Sequence, residues 1–176
     1  DGWRHYYYIY PLLVYHLLYF FNLIRNFKFK LFTIVNVLII INILFTAKWI
    51  FNFHPYQYVY FNSISKSFIK KSFDLDYFGL SIRQSLNYIL KNDKSSKIKI
   101  AALGEAWIEG PMLILDESSK ERIIVSNVNE ADYIIDTFRS KMGKKKTIDS
   151  KSFSKYYDLV VDKIVINSIY KNNLSE

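Results

Sequence analysis

The sequence predicts a membrane α-helical hairpin, two transmembrane helices, followed by a small α/β (α+β) extracytoplasmic domain. Three observations carry this. Residues 1–53 hold two long apolar runs, the short segment between them carries Arg25, Lys28 and Lys30 with no acid, and the chain turns mixed and strand-like after His54.

The first run extends from Tyr6 to Ile24 and the second from Leu31 to about Phe53, broken mainly by Thr33, Asn36, Asn42, Thr46 and Lys48. Each is long enough to cross a bilayer core, which needs roughly 20 helical residues. Neither run shows a polar face at helical period, as a surface helix of a soluble domain would. Basic residues concentrate in cytoplasmic loops, so Arg25–Lys30 is expected in the cytoplasm and everything after His54 on the opposite side of the inner membrane. Trp3, Tyr6, Tyr7, Tyr8, Tyr10, Trp49, Phe51, Phe53 and Tyr56 gather at that outer end, as an aromatic belt does. A signal peptide fits poorly, because the first run lacks a basic segment before it and a small-residue cleavage site after it. The chain opens at Asp1 with DGWRH directly against a helix, which reads as an inter-helix loop of a longer polytopic protein and hence as a C-terminal fragment.

Residues 54–73 mix aromatics, hydroxyls and lysines without a clear period and read as an interfacial connector; residues 74–176 read as the outer domain. Ser81 with Gln84 three positions on matches a capping box, and Ile82, Leu86, Ile89 and Leu90 share one face of a helix ending near Asn92. Lys97–Leu103 alternates as a strand entering a core. Gly104 to Pro111 turns the chain, Met112–Leu115 is compatible with a short helical turn, and Arg122–Ser126 and Ala131–Phe138 read as further strands by their β-branched and aromatic content. The basic Ser140–Thr147 reads as a solvated turn. In Tyr156–Tyr170 the apolar alternation changes phase after Asp162–Lys163, which predicts a hairpin turning there.

Composition excludes more than it assigns. The net charge of +8 is scattered over several lysine groups and no nucleic-acid recognition motif accompanies it, so anionic headgroups are the better partner. The absence of cysteine removes disulfides, zinc-thiolate sites and thiol catalysis. His5, His16 and His54 form no metal-binding pattern, and no nucleophile elbow, P-loop or dinucleotide fingerprint is present, so no metal and no cofactor are expected. Asp74 and Asp76, two apart, would share one face of an extended segment and could hold a cation or a sugar hydroxyl; a polar approach to the helix at Ser81 is the favoured reading of the pair. At the outer membrane surface, DGWRH and HPYQ bring Arg4, His5, His54 and Gln57 to one depth. The Arg4 guanidinium suits a phosphate oxygen, and His5 or His54 could add a hydrogen bond. Ordinary snorkelling to water is the alternative.

The strings DGWRHYYYIYP (1–11), HPYQYVYFN (54–62) and LDYFGLSIRQSLNYI (75–89) resemble the C-terminal region of bacterial glycosyltransferase family 39-like membrane proteins. These are relatives of protein mannosyltransferases and lipid A aminoarabinose transferases, in the GT-C class. The resemblance covers most of residues 1–90; beyond them ADYIIDTF and the closing hairpin match more loosely. It implies a polyprenyl-phosphate sugar donor, inversion at the anomeric carbon and an extracytoplasmic acceptor of unspecified identity. The family's catalytic carboxylate lies in an early outer loop that has no counterpart here, so this chain alone is expected to be inactive. Arg4 and His5, then His54 and Gln57, would stabilise the departing lipid phosphate. A non-enzymatic membrane-anchored binding or accessory module is the alternative.

Overall fold

The computed structural model describes residues 7–61, 68, 73–103, 106–139 and 148–174. The chain divides into two compact units, Asp1–Asn52 and Phe53–Glu176.

The first unit consists of α1 (Tyr10–Phe27) and α2 (Phe29–Phe53). Pro11 sits in the first turn of α1, where its missing amide costs nothing and its fixed φ favours the helix. The helices break only at Lys28 (φ −144°, ψ 74°), not over an Arg25–Lys30 turn as the sequence predicts. Arg25 lies in the last turn of α1 and donates to Asn22 Oδ1 at 2.8 Å, while Lys30 is already in α2. The break bends the chain. In a straight helix Phe21 and Phe32 would be separated by about 16 Å along the axis; their rings meet edge-to-face at 6.3 Å. Both helices are long and apolar enough to cross a membrane, and neither buries any of its apolar window against protein.

The second unit is a mixed α/β domain. Its described elements are a 3-10 turn (Gln57–Val59), α3 (Leu80–Asn92), β1 (Ile98–Leu103), α4 (Glu109–Met112), α5 (Glu117–Arg122), β2 (Ile123–Val125), a 3-10 turn (Val128–Glu130), β3 (Tyr133–Asp136), β4 (Phe153–Val161) and β5 (Ile164–Asn172). The sheet order is β2-β1-β3-β5-β4. β1 runs parallel to β2 and β3, whereas β5 is antiparallel to β3 and β4.

Period-two alternation divides the strand residues between two faces. Ile98 and Ile100 of β1, with Tyr133 and Ile135 of β3, join Ile82, Leu86, Ile89 and Leu90 of α3 in the main core. Ala101, Leu103 and Ile134 lie on the other face with Ala131 and Phe153. The hairpin turns at Asp162–Lys163, both left-handed (φ 44° and 65°), as a two-residue turn between right-twisted strands requires. Its strands extend from Phe153 to Asn172, longer than the sequence predicts.

Two local readings change. α3 starts two residues earlier than a Ser81 cap would give, because Gly79 takes the left-handed N-cap position (φ 67°) and the helix amides are capped from Asp76. Residues 54–61 do not stand apart from the domain, since Tyr56 and Val59 belong to its buried interior.

Candidate functional site

The site grows from the turn that starts α3. Asp76 is fully buried, and its carboxylate accepts the Tyr58 hydroxyl at 2.8 Å, the Leu80 amide at 3.0 Å, the Ser81 amide at 3.1 Å and the Ser81 hydroxyl. A carboxylate accepts about four hydrogen bonds, so Asp76 is filled. Asn167 on β5 donates to the Ser81 hydroxyl oxygen at 2.7 Å, and Tyr56 donates to Gln84 Oε1 at 2.5 Å. Burial first, and the Asp76 charge second, push the Tyr56 phenol from 10.0 up to about 12. Tyr58 moves further in the same direction by burial, then by the charge and hydrogen bonding of Asp76.

This network forms one wall of a crevice at the carboxyl ends of β1 and β3. The chain leaves β1 toward β2 and leaves β3 toward the β4–β5 hairpin on the other side. Such a divergence opens a crevice where ligands of open α/β sheets bind. A cavity of about 290 Å³ occupies it, lined by Asp76, Tyr77, Phe78, Trp107, Thr137 and Arg139 among others. Thr137 lines it and is fully buried, and its hydroxyl has no hydrogen-bond partner among the described residues. The Arg139 guanidinium donates to the Tyr77 carbonyl at 3.0 Å and lies 4.3 Å from the centre of the Tyr77 ring.

A second cavity, about 570 Å³, lies at the opposite ends of these strands and includes Asp93, Asp132, Tyr133, Tyr156 and Lys171. Tyr133 donates to Asp93 Oδ2 at 3.0 Å. Burial and then this bond raise the Tyr133 phenol. For Asp93 burial works upward, but hydrogen bonds from Ser95 and Tyr133 with the nearby Lys171 charge outweigh it and hold the carboxyl below its ordinary value.

Of the residues singled out in the sequence, His54 and Gln57 come together, with Gln57 Nε2 2.5 Å from His54 Nδ1. Asp74 and Asp76 do not share a face. The segment is a turn, not a strand, so Asp74 is exposed while Asp76 faces inward and has no free lone pair for a cation. Arg4 and His5 lie outside the described residues. Trp107, Thr137, Arg139 and Asn167 have no motif around them, and Tyr58, though inside HPYQYVYFN, was not singled out; the fold alone brings them together. The only local signal was Trp107, a large aromatic in a Gly- and Glu-containing loop.

No family model, curated protein or solved structure matches the chain.

Proposed function

We propose that this chain forms part of a membrane transferase that moves a sugar from a polyprenyl-phosphate donor to an acceptor outside the cytoplasm. In this reading α1 and α2 span the inner membrane, Lys28 marks the cytoplasmic side, and the sheet domain lies outside. The outward apolar side chains of both helices support the spans. One observation carries the reading. Two of the strings that resemble the transferases, 54–62 and 75–89, are joined into a single structural unit by Tyr58 to Asp76 and Tyr56 to Gln84.

Asp76 is a structural cap here, not a catalytic base, because its oxygens are filled. His54 is the described residue best suited to a lipid phosphate. With Gln57 Nε2 donating to Nδ1, the neutral ring carries its proton on Nε2, where it can donate to a phosphate oxygen. Arg4 would add a two-pronged donor.

The test is sugar transfer from polyprenyl-phosphate donors in membranes containing the full-length gene product. H54A and R4A should each lower transfer strongly while insertion is unchanged; transfer at the parent rate in both variants would sink the assignment. The chain has no cysteine, so topology can be read by labelling. A cysteine at Asn26 should be shielded from an impermeant outside reagent and one at Lys94 should react.

A second reading, a membrane-anchored binding module, is favoured by the crevice with its unpartnered Thr137 hydroxyl. Ligand binding that responds to T137V, without transfer in the full-length product, would establish it.

A further inference from the structure

We infer that the aromatic rim of the crevice at the carboxyl ends of β1 and β3 seats the sheet domain on the lipid headgroup layer, a docking that rests on the membrane reading above. Phe78 is 79% exposed and Trp107 65%, and both line the same cavity as Tyr77. Leu113, 73% exposed, and Ile114 follow directly on α4, the helix whose Gly110 lies beneath the Trp107 ring. These side chains are outside the core while Ile82, Leu86 and Ile89 of the adjoining helix are fully buried.

Their outward position is built into the backbone. Gly79 turns sharply into α3 with φ 67°, and a Cβ there would lie 2.9 Å from Ile82 Cδ1. A Cβ on Gly110 would lie 2.4 Å from the Trp107 ring, so only glycine lets that indole rest where it does.

The chemistry of the rim selects lipid. Trp and Tyr carry an apolar ring with a polar edge and concentrate at the headgroup level of membranes. Arg139, stacked on Tyr77, brings a guanidinium suited to phosphate oxygens to the same rim. The filled Asp76 carboxylate adds negative charge to the crevice wall, which disfavours a free anion inside it. Chain length supplies the proximity. Tyr58, bonded to Asp76 in the crevice wall, is five residues beyond Phe53, the last residue of α2, and five residues span at most about 18 Å. With α2 in the bilayer, the chain itself keeps Tyr58, and the Asp76 wall bonded to it, within about that span of the end of the helix.

The test uses the full chain in lipid nanodiscs containing phospholipid brominated near the carbonyl end of its acyl chains. The sequence has three tryptophans, Trp3, Trp49 and Trp107. In W3F/W49F only Trp107 emits; in W3F/W107F only Trp49 does. Docking predicts blue-shifted Trp107 emission quenched by the brominated lipid, and severalfold weaker quenching when F78S/L113S is added. If Trp49 is quenched and Trp107 is not, the docking is wrong and the membrane reading stands; if neither is quenched, both fall. Blue-shifted but unquenched Trp107 emission would assign the rim to a second copy of the chain and overturn lipid docking. Quenching that F78S/L113S leaves unchanged would overturn the rim as the contact.

Discussion

The Tyr58 hydroxyl donates to Asp76 Oδ1 at 2.8 Å, fastening the segment that follows α2 to the turn that begins α3. Asp76 is buried, so removing that donor leaves a charged oxygen short of one partner. Hydrogen bonds to charged groups contribute about 1.5–3 kcal/mol. Tyr58→Phe should lower the stability of the domain by about that amount, with Asp76→Ala costing more because the α3 amides lose their cap as well. Thermal unfolding followed by near-UV circular dichroism would measure both.

Tyr56 makes the domain sensitive to alkali. Its folded pKa is raised from 10.0 to about 12, so the folded state holds the proton more tightly than the unfolded chain. The corresponding stability is fully present below pH 10.0 and is lost as the pH rises toward about 12. Tyr56→Phe should therefore flatten the decline of stability with pH across that window. An unchanged slope would show that the phenol is equally acidic in both states.

Gly79 occupies the left-handed region at the start of α3. Alanine there adds backbone strain of about 1–2 kcal/mol, and its Cβ also crowds Ile82. Gly79→Ala should lower the unfolding midpoint, the opposite of Gly→Ala changes in helix interiors, where alanine stabilises. Chemical denaturation of the two proteins side by side would show it.

Lys163 offers the opposite case. It holds φ 65° in the β4–β5 turn with a side chain that L residues rarely carry there. Lys163→Gly relieves the strain at the cost of a more flexible unfolded chain, for a net gain of about 0.5–1 kcal/mol. A raised unfolding temperature checks this.

The parts of the fold that follow from periodicity were legible in the sequence. The α3 face of Ile82, Leu86, Ile89 and Leu90 is buried as its spacing requires, and the phase change after Asp162–Lys163 marks the hairpin turn. Capping was not legible in the same way. Ser81 and Gln84 match a capping box, yet Asp76 reaches the helix amides across a tight turn, and a pattern of near neighbours does not register a donor–acceptor pair set by that turn. The same turn defeats the alternation argument for Asp74 and Asp76, which holds only in extended chain. α5 (Glu117–Arg122) was missed because ESSKER has no apolar period. Its cue was Asp116, which caps the Ser119 amide and whose carboxyl is lowered to about 2 by the Ser118 and Ser119 hydrogen bonds. The crevice could not be read at all: Trp107 and Thr137 meet there only because β1 and β3 are parallel neighbours whose chains diverge.

Asn167 and Ser81, joined by one hydrogen bond, are separated by 86 positions in the sequence. Since β3 is flanked on one side by β5, the middle of the sheet stays an open edge until the hairpin arrives. α3, β1 and β2 can assemble from nearby segments, whereas the polar interior around Ser81 closes only with that distant strand. Pairing over so many residues comes late relative to local contacts, so a chain whose hairpin has yet to pair leaves the Ser81 hydroxyl without its Asn167 partner and the crevice wall incomplete.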